Sequence, residues 1–312
     1  MQPTVVFMGT PDFAVPPLEM LHASGFQIQL VVTQPDRPKG RGRGVSPPPV
    51  KEAALRLGCP IAQPPKVRNP EFVARLEAIA PDFLVVVAFG QILPQTILQI
   101  PKGGPINIHG SLLPKYRGPA PIQWAILRGE RRTGITTMLM DVGIDTGDIL
   151  LQRVIDISED ENADQLHHRL ANMGAEMIVE TLHRLRQGTL FPHAQKHDDA
   201  TYAPMLKKED GRIPWKQSAD RLDALIRAMT PWPGAFCFWG EKRLKIIQAR
   251  AYCDVVHHEA PGTVVAGFPD ELRVATGQGI LLVQQIQVDS GKRMPVKDFL
   301  RGHALVPGSV LS

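Results

Sequence analysis

The sequence predicts an α/β protein in two parts, a mostly parallel sheet covered by helices on both faces and a smaller β-barrel after it. In the first half of the chain, short continuously apolar runs alternate with helical patterns, which is typical of parallel strands buried on both faces. The last third carries short β-like runs separated by Gly and Pro. We therefore expect an N-terminal Rossmann-like sheet and a C-terminal OB-like barrel.

The elements of the first part follow from these apolar runs. Strands are predicted at residues 5–8, 28–33, 83–88, 106–109, 136–140 and 149–157. Helices are predicted at residues 16–23, 49–57, 70–79 and 121–127, and each of these ranges begins with a proline, which is favoured in the first turn of a helix. The strongest helical signal covers residues 162–186, where apolar side chains recur every three or four positions. Asn162 can cap its start and Gly188 its end.

The second part begins after a polar, His-rich stretch without periodicity. We predict that residues 189–206 are a linker between an N-terminal domain, residues 1–188, and the OB-like domain, residues 207–312. In this last domain we expect a helix at 220–229 and strands at 235–239, 244–250, 262–265, 272–275 and 280–287. It carries 15 Lys/Arg against 11 Asp/Glu, whereas residues 1–206 carry 20 of each. This basic excess indicates a polyanionic partner, although a routinely charged surface explains the number equally well.

Several classes of protein are disfavoured by composition and motif. The longest nearly apolar run, residues 83–89, is far shorter than the roughly 20 residues of a membrane span. The N-terminus lacks the basic region of a signal peptide, and three cysteines form no C-x-x-C pair. The fingerprints of dinucleotide, P-loop and zinc-protease sites are absent from the sequence. We expect a cytoplasmic chain without a membrane partner, a metal or a nucleotide cofactor.

Two segments of the first part carry candidate chemistry. Asn107 and His109 alternate with isoleucines on one predicted strand, so both face the same side at its carboxyl end, where open α/β sheets bind ligands. The loop Asp141-Val-Gly-Ile-Asp-Thr-Gly-Asp148 holds three carboxylates. Spacing alone leaves three interpretations open: a solvated turn, a weak cation site, or one carboxylate that orients a histidine.

A third segment is strongly basic. Residues 34–49 hold four cations against one carboxylate, and their Gly and Pro content predicts neither helix nor strand. A solvated loop is the default interpretation. Alternate basic side chains on such a backbone also suit phosphate contacts and ordering on binding.

Together these segments resemble the folate-dependent formyltransferases. The resemblance lies in Asn107-Ile-His109, in Ser111-Leu-Leu-Pro-Lys-Tyr-Arg-Gly-Pro-Ala-Pro-Ile-Gln-Trp-Ala125 and in the loop Asp141–Asp148. It extends over the whole chain, through Met8-Gly-Thr-Pro-Asp-Phe-Ala14, the basic loop and Met229-Thr-Pro-Trp-Pro-Gly-Ala235. The combination implies an enzyme that transfers a formyl group from 10-formyltetrahydrofolate to initiator methionyl-tRNA, as a monomer.

The resemblance also implies roles for individual residues. Asn107, His109 and Asp145 would be the catalytic trio. Folate would be bound by Ser111, Leu112, Leu113 and Pro114, with Phe89, Gln91 and Ile92 near the pterin. The tRNA would be contacted by Arg37, Lys39, Arg41, Arg43, Lys207 and Lys208.

Three other functions stay open at this point. The chain could formylate a small amine. Formyltransferases of that kind share the trio, but a small acceptor leaves the basic loop and the barrel without a use. The chain could bind RNA without catalysis, which leaves the trio without a use. It could hydrolyse formylfolate, which the trio alone does not exclude.

Overall fold

The computed structural model describes residues 3–39, 44–266, 270–289 and 291–312. The chain forms two compact units, and neither is continuous in sequence. The first contains Met1–Pro121, Arg132–Asp156 and His167–Ala203, and the second contains Ile122–Arg131, Ile157–Leu166 and Pro204–Ser312. The proposed domain boundaries stay a prediction, since the clusters interleave and the segment 189–206 is divided between them.

A seven-stranded sheet forms the core of the first unit. The strands of this half of the chain are β1 (Thr4–Gly9), β2 (Gln27–Val32), β3 (Arg37–Lys39), β4 (Gly44–Ser46), β5 (Ile61–Ala62), β6 (Phe83–Val87), β7 (Pro105–His109), β8 (Arg132–Leu139) and β9 (Ile149–Asp156). The order in the sheet is β5-β2-β1-β6-β7-β8-β9. In this order, the five strands from β5 to β7 are parallel to one another, β8 runs antiparallel to β7, and β9 runs antiparallel to β8. Every residue of β6 is buried, as its continuous apolar sequence predicts.

Helices connect these strands. They are α1 (Val15–Ala23), α2 (Pro49–Arg56), α3 (Pro70–Ile79), α4 (Gln95–Leu98), α5 (Pro121–Leu127) and α6 (Ala163–Arg186). α6 begins with a reciprocal cap, because the Asn162 side chain accepts from the Gln165 amide and the Gln165 side chain accepts from the Asn162 amide. Phe72, Leu76 and Ile97, from α3 and α4, pack with residues of β1, β2 and β6 in one hydrophobic core.

The basic segment differs from the sequence prediction. β3 and β4 form an antiparallel pair, with Pro38 opposite Val45, so the expectation of no strand at residues 34–49 is wrong. An isolated two-stranded ribbon has two free edges, and at an edge position a proline removes no hydrogen bond from the ladder. Arg41 and Arg43 lie outside the described residues.

The second unit contains an antiparallel sheet. Its elements are α7 (Ala219–Met229), β10 (Ala235–Trp239), β11 (Lys242–Tyr252), β12 (Leu272–Ala275), β13 (Ile280–Val288), β14 (Met294–Pro295) and α8 (Val296–Gly302). The order is β10-β11-β13-β12, and β14 pairs with β13. The predicted strand 262–265 makes only single bridges, from Thr263 to Val310 and from Val264 to Val274.

The mostly parallel sheet and the separate antiparallel sheet confirm the predicted fold class. None of the helices in the described part of the chain has both the length and the apolar character needed to traverse a bilayer.

Candidate active site

The carboxyl end of β7 presents the first two candidate side chains. β7 lies beside β6, with Val86 opposite Asn107 in parallel register. Asn107 is half-buried and His109 is 5% exposed. Because strand side chains alternate, both side chains project from the same face of the sheet. The structure therefore places an amide and an imidazole together at the sheet edge where α/β proteins bind ligands.

Asp145 reaches the same place from the loop between β8 and β9. Its backbone is in the left-handed region, with φ 54°, which is uncommon for a residue with a side chain. Its Oδ2 accepts a hydrogen bond of 2.8 Å from the Gly118 amide. Gly118 has φ 116°, and a Cβ there would lie 2.8 Å from the Ala203 carbonyl oxygen, so this donor position requires glycine.

The three side chains meet around the Asp145 carboxylate. Asn107 Nδ2 donates to Asp145 Oδ1 at 3.4 Å, and His109 Nδ1 lies 3.6 Å from Asp145 Oδ2. His109 Nε2 lies 2.9 Å from the Tyr116 carbonyl oxygen. A carbonyl only accepts, so Nε2 carries a hydrogen and Nδ1 is the nitrogen that faces the carboxylate. A histidinium here lies beside a group of opposite charge.

The other two carboxylates of the loop are occupied elsewhere or exposed. Asp141 Oδ1 accepts from the Gly143 amide at 3.0 Å and from the Thr146 hydroxyl at 2.6 Å, which makes it a local turn residue. Asp148 is exposed. Of the three carboxylates that spacing could not distinguish, Asp145 is the one that joins Asn107 and His109. Among the described residues, no group of three His, Cys, Asp or Glu side chains is arranged to hold a metal ion.

The predicted folate residues follow the neighbouring strands β6 and β7, but they differ in solvent exposure. Ile92 is 68% exposed, and Gln91, Leu112 and Pro114 are half-buried. Three others are buried, namely Phe89, Ser111 and Leu113. The Ser111 hydroxyl donates to the Lys115 carbonyl at 2.6 Å, and the Phe89 ring belongs to the hydrophobic core. A ligand at the carboxyl ends of these strands would contact the exposed residues directly, while the buried residues pack beneath them.

Sequence reasoning missed a buried polar group beside the trio. Arg117 is 3% exposed, and its Nε and Nη2 donate to Gln195 Oε1 at 3.1 and 2.7 Å. Its Nη2 also lies 3.1 Å from His197 Nδ1. Gln195 and His197 belong to the predicted linker, and no periodicity or motif marks them. The sequence offers one signal for this group, since Arg117 lies within the Ser111–Ala125 segment that carries the family resemblance.

The predicted tRNA residues lie in both units. Arg37 is exposed and lines a cavity of about 230 Å³ with Thr10 and Gln34, at the carboxyl ends of β1 and β2. Its Nη2 donates to Gln34 Oε1 at 3.4 Å. Lys39 belongs to β3, and its side chain, like Arg41 and Arg43, lies outside what the structure describes. Lys207 and Lys208 are exposed in the second unit.

Comparison with known proteins agrees with this fold. Residues 2–182 match the formyl transferase family, and residues 205–304 match the formyl transferase C-terminal domain. The chain therefore belongs to the formyl transferase family. Its similar relatives include the methionyl-tRNA formyltransferase of Citrifermentans bemidjiense, 50% identical over 309 residues, which are 98% of this chain and 96% of the relative. That of Geobacter metallireducens is 52% identical over 307 residues, 98% and 97% of the two chains.

Solved structures share the fold at low sequence identity. HypX from Aquifex aeolicus in complex with tetrahydrofolic acid matches with a TM-score of 0.62 at 17% identity, over 96% of this chain and 47% of HypX. The chain thus spans about half the length of HypX. An N-formyltransferase from Helicobacter canadensis, in complex with folinic acid and dTDP-3-aminofucose, matches with a TM-score of 0.66 at 19% identity, over 91% and 99% of the two chains.

Proposed function

We propose that the chain transfers the formyl group of 10-formyltetrahydrofolate to the α-amino group of methionyl-initiator tRNA. The observation that carries this proposal is the identity of about half of all positions, over nearly the whole chain, with methionyl-tRNA formyltransferases. The two structural neighbours bound to tetrahydrofolic acid and folinic acid share the fold of this chain. We extend a folate-type co-substrate to this chain on that basis.

The acceptor needs little activation. A free α-amino group has a pKa of about 8, so an appreciable neutral fraction exists near neutral pH and no protein nucleophile is required. The amine attacks the formyl carbon and the formyl oxygen becomes an oxyanion. Asn107 has a second N–H besides the one that faces Asp145, and it would donate to this oxygen.

A protonated His109, which carries a hydrogen on both ring nitrogens, would supply the second donor from Nδ1. Its Nε2 is held by the Tyr116 carbonyl, whereas the 3.6 Å between Nδ1 and Asp145 Oδ2 exceeds a hydrogen bond, so an Nδ1 hydrogen stays available. In the collapse of the intermediate, the bond from the formyl carbon to folate N10 breaks. The attacking amine loses one proton and N10 gains one, and Asp145 would assist this passage through a water.

The basic residues would position the tRNA. Phosphate contacts fix the orientation of a nucleic acid without reading its bases, and the exposed Lys207 and Lys208 suit that role. Arg37 lines the cavity at the carboxyl ends of β1 and β2, and we propose that it would meet the acceptor end. If Arg41 and Arg43 each meet a phosphate, replacement of both by alanine should lower the slope of log affinity against log salt by roughly one per lost contact.

The closest alternative acceptor is a small amine. The Helicobacter canadensis structure shares the two-part fold over 91% of this chain, so the presence of a C-terminal unit does not by itself indicate tRNA. The acceptor assignment depends instead on the much higher identity of the tRNA-specific relatives.

One assay separates these functions. The purified protein is given 10-formyltetrahydrofolate with charged initiator tRNA, charged elongator tRNA, a small primary amine, or water alone. We expect rapid formylation of the initiator tRNA only. Transfer to the small amine at an equal rate, or release of formate in water alone, would contradict the proposal. Sedimentation of the same preparation tests the proposed monomer.

A further inference from the structure

Residues 193–203 lie along the loops that carry the site. His193 exchanges two backbone hydrogen bonds with Ile149, at 2.8 and 2.9 Å. The Thr201 hydroxyl accepts from the Tyr116 amide at 2.9 Å, and the Ala203 amide donates to the Arg117 carbonyl at 2.8 Å. This segment therefore contacts the loop that follows β7 and the first residue of β9, where the loop that carries Asp145 ends.

Gln195 is the central side chain of this segment. It is 5% exposed, and its amide makes four hydrogen bonds. Oε1 accepts both bonds from Arg117, while Nε2 donates to the carbonyls of Asp145 at 2.9 Å and Gly147 at 2.7 Å. Both donor hydrogens and both acceptor positions of the amide are thus used.

Arg117 fixes the orientation of that amide. A guanidinium only donates, so Gln195 must present its oxygen to Arg117 and its nitrogen to the loop carbonyls. For the same reason, His197 Nδ1 must accept from Arg117. Among the described residues, no carboxylate lies within ion-pair distance of Arg117, so its buried charge depends on these neutral partners.

We infer that Gln195 is a positioning residue for formyl transfer, acting through Asp145. The left-handed backbone at Asp145 is unfavourable for a residue with a side chain, and such a conformation persists only when the surrounding structure enforces it. The two bonds from Gln195 hold the backbone on both sides of Thr146, while the Gly118 amide holds the carboxylate. The inference rests on the proposed function for its kinetic consequence and on geometry alone for the placement of Asp145.

Gln195→Leu tests the positioning role, with Thr4→Val as the matched control. Thr4→Val removes two part-buried hydrogen bonds at the amino end of β1, one that the Thr4 hydroxyl donates to the Asp82 carboxylate and one that it accepts from the Asp82 amide. The change therefore perturbs the same unit away from the site. We expect Gln195→Leu to lower kcat on the order of 10²-fold, since an error of about 1 Å in placement has an effect of that size. KM for both substrates should change little. Thr4→Val should keep wild-type kcat even if both variants melt at similar temperatures.

Two further variants show through which atoms Gln195 acts. Gln195→Glu can still accept from Arg117 but cannot donate to the two loop carbonyls, so we expect it to be as slow as Gln195→Leu. In an Asp145→Asn background, Gln195→Leu should cause no more than about a twofold further loss, because residues that act as one unit are not additive. Wild-type turnover in Gln195→Glu, or multiplied losses in the double variant, would overturn the inference.

A readout without substrates separates this inference from the proposed function. The ring resonances of His109, followed by NMR across a pH series, report whether the carboxylate still faces Nδ1. They should move in Gln195→Leu and not in Thr4→Val. Unchanged resonances in Gln195→Leu would refute the positioning role whatever the acceptor is, whereas a wild-type protein that fails to formylate tRNA would refute only the proposed function.

Discussion

Replacement of Asp145 by asparagine should remove the charge that supports a histidinium at His109 while it preserves the shape of the site. The asparagine oxygen can still accept from the Gly118 amide, as Asp145 Oδ2 does at 2.8 Å. The two side chains are only 6% and 15% exposed, and 3.6 Å separates His109 Nδ1 from Asp145 Oδ2. Two unit charges at this distance, with an effective dielectric constant of about 20, attract each other by about 4–5 kcal/mol. Loss of that attraction in the transition state corresponds to a roughly 10³-fold lower kcat.

The assay is single-turnover formylation of methionyl-tRNA with enzyme in excess, so that the chemical step is observed directly. Asp148→Asn is the matched control, because it makes the same chemical change in the same loop at an exposed side chain. We expect Asp148→Asn to have nearly wild-type rates. If Asp145→Asn keeps more than about a hundredth of wild-type turnover, when one missing electrostatic contact typically lowers kcat by about 10²- to 10³-fold, or if Asp148→Asn is the slower variant, the assignment of Asp145 is refuted.

Three other predictions concern catalysis and stability. His109→Ala should lower turnover by at least about 10²-fold and leave folate affinity nearly intact. Steady-state kinetics and equilibrium folate binding will check these two expectations. Hydrogen bonds from Thr4, led by its backbone amide, hold the pKa of Asp82 below its usual 3.8. The ionised Asp82 therefore stabilises the folded protein above pH 3.8, and this contribution is lost as the pH falls through the lowered pKa. Asp82→Asn should therefore lower the free energy of unfolding at about pH 7, by less than about 1 kcal/mol for a partly exposed carboxylate, and this difference from the wild type should shrink as the pH falls below 3.8. Burial raises the pKa of Cys237 to about 12; in the folded protein a thiol reagent should label the exposed Cys253 and spare Cys237 until the chain unfolds.

The sequence predicts most of the sheet because its signals are local. Continuous apolar runs mark β1, β2, β6 and β7, and the alternation along β7 correctly brings Asn107 and His109 to one face. The two-residue strand β5 has too few residues for a pattern. The Gly and Pro content of residues 34–49 does not predict the ribbon of β3 and β4. Proline disfavours a strand inside a sheet, but it is tolerated in a two-stranded ribbon, where both strands are edge strands.

The site divides in the same way between local and distant information. Spacing within the loop could not select Asp145, because the selection depends on the Gly118 amide, 27 positions away in sequence. Gln195 was invisible for the same reason, since its partners lie 48 to 78 positions away. A polar stretch without periodicity is a linker by every local criterion, and only its tertiary contacts show that Gln195 donates to the loop that carries Asp145.

The discontinuous second unit has a consequence for protein engineering. Residues 122–131 and 157–166 cluster with residues 204–312. Within that unit, Trp124 Nε1 donates to the Pro204 carbonyl and Arg227 Nη1 donates to the Glu161 carbonyl. A chimera cut once, at residue 204, would therefore combine a foreign C-terminal sheet with two native segments that pack against it. Transplanting this unit between relatives requires the exchange of three stretches of chain.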